Sequence, residues 1–110
     1  MPKGPGQWNS AEATRHINGC ARSNKLQLSW KMHAKERMSE RGIVMGDVLY
    51  LLKNGFVHEQ PEAATREGYF KYQVEGTTPN SNRRPLCVVV IPDPRVHQMK
   101  IVTIMWRDER

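Results

Sequence analysis

Negative charge is scarce in this chain. Eleven Asp and Glu stand against seventeen Lys and Arg, a formal net charge of +6 and a pI near 9.7. The sign of that balance is the one expected of a protein that meets nucleic acid or an acidic partner. Cysteine is nearly absent. Cys20 and Cys87 lie far apart without C-x-x-C spacing, which excludes a disulfide framework, argues against a zinc site and leaves two free thiols in a reducing compartment. His16, His33, His58 and His97 have no metal-ligand spacing, so neither a metal nor a cofactor is expected. No apolar run reaches the roughly 18 residues of a membrane span and no signal-peptide pattern occurs, so a soluble, cytoplasmic protein with no membrane partner is expected. There is no internal repeat and no Gly-rich phosphate loop. Aromatic residues are few and do not interleave with a basic run, which argues against a dedicated single-strand binder.

What remains is enough for one modest core and not for two, since the chain has 110 residues. Residues 1–9, rich in Pro and Gly, read as a flexible N-terminal arm with Trp8 able to anchor its end, and residues 10–110 as a single domain. Ser10 suits an N-cap, with Glu12 in the first turn and Ala13, Ile17 and Ala21 as an apolar stripe for a helix to about residue 21. Residues 25–29 alternate and predict a short strand, whose Ser29 can cap the next helix. That helix ends at Gly42, a natural C′ residue, and a second one follows over residues 45–53, with Val48, Leu51 and Leu52 on one face and Asn54-Gly55 as its stop.

Beyond Gly55 the period changes. Residues 56–60 are strand-like, a polar loop spans 61–68, and Phe70, Tyr72 and Val74 alternate with Lys71, Gln73 and Glu75 in a half-buried strand. A turn region over 76–85 carries Arg83 and Arg84. Residues 86–91 form a continuous apolar run closed by Pro92-Asp-Pro94, and residues 99–106 make the last strand, antiparallel to it. The expected fold class is α+β, with two main helices on an antiparallel sheet of about four strands and Val88, Val90 and Ile101 or their alternates beneath the helices.

Residues 30–42, W-K-M-H-A-K-E-R-M-S-E-R-G, break the amphipathic rule. On a helix Trp30, Ala34 and Met38 form the i, i+4, i+8 stripe of a core-facing side, yet Arg37 and Arg41 fall inside it. Buried charge is costly unless it is paired or faces a cleft, so this conflict marks a candidate site. His33, Arg37 and Arg41 stand at successive i+4 positions along one helix edge.

The segments H-A-K-E-R-M-S-E-R-G-I, D-V-L-Y-L-L-K-N-G, Y-F-K-Y-Q-V-E-G and I-V-T-I-M-W together resemble a bacterial domain family of unknown function. That family is grouped with the RelE-like and BrnT-like toxins in a ribonuclease superfamily that also includes barnase and the colicin nucleases. The resemblance implies a helix pair on a curved antiparallel sheet, a metal-independent RNA-cleaving site on the open sheet face, and a cognate antitoxin as partner. Two positions depart from the family's pattern. Val44 stands where a Ser or Thr cap is common, with Asp47 able to supply the capping carboxylate, and Met105-Trp106 stand where many relatives carry a Tyr.

Cleaving RNA without metal needs a base for the 2′-hydroxyl, an acid for the leaving oxygen and cations around the phosphate. His33 suits proton transfer, Arg37 and Arg41 suit phosphate binding, and Lys71 completes the expected catalytic set. Arg83, Arg84 and Arg107 are the expected RNA contacts, Glu75 is a candidate carboxylate base and Thr103 a candidate hydroxyl donor. Two other readings fit the same residues. In one, the basic face binds nucleic acid or protein without catalysis. In the other, Arg37 or Arg41 closes an internal ion pair with Asp47 or Glu75.

Overall fold

A computed structural model describes residues 4–109. The first helix, α1 (Ser10–Ala21), is capped by Asn9 and not by Ser10: the Asn9 side chain accepts from the Glu12 N–H at 2.8 Å, and Glu12 accepts from the Asn9 N–H at 3.1 Å. Reciprocal capping of this kind satisfies two otherwise orphaned donors. Ala13, Ile17 and Ala21 are buried as their spacing predicts. Upstream, Gly4 and Gly6 donate to the carbonyls of Glu67 and Gly68, and the Trp8 N–H donates to the Tyr72 hydroxyl. Residues 1–3 of the expected arm, and Arg110 at the end of the expected domain, lie outside the described residues.

The chain continues through β1 (Gln27–Trp30), α2 (Met32–Arg41) and α3 (Met45–Asn54). Gly42 closes α2 at φ 65°, the left-handed conformation that favours glycine. The cap of α2 is Lys31, which offers no side-chain bond, so Ser29 does not serve there. Asp47 does what Val44 cannot, accepting the Val44 N–H at 3.2 Å at the start of α3. Its other oxygen accepts the Thr78 hydroxyl at 2.9 Å, tying the helix to the 76–85 loop.

After α3 come two short strands, β2 (Phe56–Val57) and β3 (Glu62–Ala63), then β4 (Phe70–Gly76), β5 (Leu86–Asp93) and β6 (Gln98–Trp106). The α+β class holds, but the expectation of two main helices on a purely antiparallel sheet of about four strands is corrected: among the described residues there are three α-helices of similar length, and six strands make an open mixed sheet, ordered β1-β6-β5-β4-β2, with β3 beside β4. The parallel member is β1, paired with β6 from Gln27–Gln98 to Trp30–Ile101. No local pattern announces a pairing between segments so distant in sequence, and two-residue strands are too short to show alternation. β5 also runs on through Pro92, which is paired with Met99.

Register sorts the sheet into two faces. Tyr72, Val90 and Ile101 align, as do Val74, Val88 and Ile104, and all six are at most 1% exposed. All three helices add buried residues to this one core, among them Ala34 of α2 and Leu51 and Leu52 of α3. Full burial of such a side chain contributes about 1.5–3 kcal/mol. The opposite face bears Lys71, Gln73 and Glu75 of β4, Val89 and Ile91 of β5, and Lys100, Thr103 and Met105 of β6, mostly half-buried or exposed. A bulge at Val102 restores this alternation, because Val90 opposes Ile101 whereas Val89 opposes Thr103. Among the described residues no helix is long and apolar enough to cross a membrane.

Candidate functional site

The charged edge of α2 is surface. Only Ala34 of that helix is buried, while His33 is exposed and accepts a hydrogen bond from the Arg37 Nε at 3.2 Å. Arg37 also meets Glu40 at 3.0 Å, one helical turn on. Arg41, the least exposed of the three, does not pair with Asp47 or Glu75. It grips Glu109, beyond the last strand, with Nε at 2.8 Å from one carboxylate oxygen and Nη2 at 2.8 Å from the other. The bidentate arginine and the Trp106 N–H together hold the Glu109 pKa down to about 2.

The remaining expected residues are spread over other elements. Lys71 on β4 pairs with Glu62 of β3 at 3.7 Å, and β5 separates β4 from β6, the strand against which α2 packs. Lys71 is thus not brought to the His33–Arg37 pair. Arg84 binds Asp108 through two bonds of 2.8 and 3.0 Å and lies over the Trp106 ring, holding the Asp108 pKa below the usual carboxylate range. Arg83 is exposed in the 76–85 loop at φ 66°. Thr103 stands on the open face, opposite Val89.

Glu75 is the exception among these polar residues, because it is only 3% exposed although it belongs to the open face. Arg107, just past β6, forms its ion pair. The two border a cavity of about 360 Å³ lined by Phe56, His58, Glu75, Gly76, Pro85 and Arg107. A carboxylate, a guanidinium and an exposed imidazole therefore share one concavity where β4 ends and β5 begins. His58 carries no signal of this role in the sequence: it lies beyond the two residues of β2, and only the pairing of Phe56 with Glu75 brings that strand to the carboxylate.

A second cavity, of about 390 Å³, lies at the other end of the same face, where β5 ends and β6 begins. Ser29, Lys31, Arg66, Tyr69, Asp93 and Lys100 are among its lining residues. Asp93 is 7% exposed and occupied: the Tyr69 hydroxyl and two Arg95 nitrogens each donate to it at 2.9 Å. Arg95, seconded by Tyr69, pulls the Asp93 pKa below its ordinary range against the opposing effect of burial. Lys100 lies between the buried Met99 and Ile101 of β6, and nothing local in the sequence links it to Lys31 or Arg66.

Residues 30–106 match a family described as a domain of unknown function, DUF4258. No curated protein and no solved structure matches the chain.

Proposed function

The chain belongs to the DUF4258 family, and from that premise we propose that it is a metal-independent endoribonuclease domain, similar to the RelE-like and BrnT-like toxins, working on its open sheet face. One observation carries the reading: the buried Glu75 and its exposed partner Arg107 border a cavity that they share with His58. These are the three group types that the reaction needs. Glu75 accepts the proton of the 2′-hydroxyl as its oxygen attacks phosphorus, and His58 donates a proton to the departing 5′-oxygen. Arg107 faces the charge that grows on the phosphate. The P–O5′ bond breaks as the P–O2′ bond forms, leaving a 2′,3′-cyclic phosphate and a 5′-hydroxyl. A cognate antitoxin protein is the partner that this reading implies.

A second reading keeps the proton transfer on α2, favoured by the 3.2 Å bond that orients His33 beside Arg37, with Arg41 on the same helix edge and without Lys71, which lies two strands away from β6. The two are separated by parallel variants on a mixed RNA substrate with chelator present. His58→Gln is expected to lower the cleavage rate by roughly 10² to 10⁴ with the melting temperature unchanged, because His58 is exposed. His33→Gln is expected to leave cleavage intact. The reverse pattern moves the chemistry to α2, and a wild-type protein that binds RNA but cuts none leaves a binding domain.

A further inference from the structure

The second cavity has a charge balance of its own. Three cations, Lys31, Arg66 and Lys100, line it, and among the described residues none of the three has a carboxylate within ion-pair distance. The one acid in the lining, Asp93, is already neutralised by Arg95. The cavity therefore carries uncompensated positive charge, which attracts an anion. It also holds a stacked pair, with the Arg66 guanidinium 4.4 Å from the centre of the Tyr69 ring. Aromatic rings and guanidinium planes are what an unstacked base packs against, and Lys and Arg are what hold a phosphate.

We infer that this cavity is a nucleotide subsite for single-stranded RNA, with Lys31 and Lys100 on the phosphate and the Arg66–Tyr69 stack beneath the base. The inference rests on reading the open face as an RNA surface and adds a second point of attachment to it. The eight residues of β5 separate the two cavities, roughly 26 Å at about 3.3 Å per residue, so one strand of RNA laid along the face reaches both only if it is longer than a dinucleotide.

The test uses fluorescence anisotropy with labelled 2′-O-methyl oligonucleotides, whose blocked nucleophile prevents cleavage. Lys31 and Lys100 are both exposed, so the double variant Lys31→Ala/Lys100→Ala keeps its fold, which circular dichroism checks. Its affinity for an octanucleotide should fall about tenfold or more, the order expected when charge-assisted contacts are lost. Adenosine monophosphate should displace the octanucleotide at lower concentration than inorganic phosphate, and Tyr69→Leu should erase that advantage. Unchanged octanucleotide affinity in the double variant overturns the subsite, and equal potency of the two competitors overturns its assignment to a nucleotide. Lysine-dependent octanucleotide binding by a wild type that cuts no RNA sinks the cleavage reading and leaves the subsite standing.

Discussion

The Glu109 carboxylate illustrates how a single residue makes stability depend on pH. Its pKa is about 2 in the folded protein against an ordinary 4.5, first because Arg41 donates to it and next because the Trp106 N–H does. The unfolded chain thus binds more protons than the folded one between those values. The contribution of the pair is complete above pH 4.5 and drains away as the pH falls toward 2. Thermal melts across that window should show a steeper loss for wild type than for Glu109→Gln, and parallel curves would mean that the pair stabilises nothing. The Asp108 carboxylate, held low by Arg84, titrates in both proteins, and Glu109→Gln also removes the neighbouring charge that pushes the Asp108 pKa up. Residues whose role is local could be read from the sequence. Gly42 ends α2 and Asp47 caps α3 because both act within four positions of their own place in the chain. The partner of Arg41 lies 68 residues away, and no periodicity points to it.

Elements were legible where they were long enough to show a period. α1, α3, β4, β5 and β6 follow the apolar spacing, whereas α2 begins at Met32 and buries only Ala34, leaving Trp30 of the expected stripe in β1; β2 and β3 have two residues each, and β1 owes its place to a parallel contact with β6. Glycines sharpen the contrast between local preference and packing. Gly19 lies inside α1 with nothing within 4 Å of the point where an alanine methyl would sit, so Gly19→Ala should raise unfolding free energy by about 0.5–1 kcal/mol through backbone entropy alone. Gly55 ends α3 where a Cβ would come 2.7 Å from the Leu51 carbonyl oxygen and 2.8 Å from a Val74 methyl. Gly55→Ala must push α3 away from β4, the strand that carries Glu75, and should cost about 1–3 kcal/mol in a urea melt. On the proposed endoribonuclease reading it should also lower cleavage by more than the lost folded fraction, since the shift moves the Phe56–Glu75 pairing. A Gly55→Ala protein as stable as wild type would show that this junction has room to spare.

At the scale of the whole molecule, a net charge of +6 overstates the charge that RNA can reach. Of the six Lys and Arg residues expected in the catalytic set and the RNA contacts, Arg37, Arg41, Lys71, Arg84 and Arg107 each have a carboxylate partner, and only Arg83 has none among the described residues. Composition reports the sum of charges, and pairing across the fold decides which of them remain to meet a phosphate. Around the two cavities and the 76–85 loop, Lys31, Arg66 and Lys100, together with Arg83, remain; Arg15, Arg22, Lys25, Lys35 and Lys53 also lack a carboxylate partner among the described residues, but none of them lines either cavity. Four phosphate contacts on a single strand give a slope of roughly −3 in a plot of log affinity against log salt, at about −0.7 per contact. Removing Lys100 should flatten that slope by about 0.7, while Arg84→Ala, which frees Asp108 as it removes a cation already spent, should leave the slope within error of wild type. The two single variants carry the same formal charge, so any account in which only net charge matters requires them to behave alike. Equal slopes for Lys100→Ala and Arg84→Ala would return RNA binding to the general basicity of the chain and remove the open face from its centre.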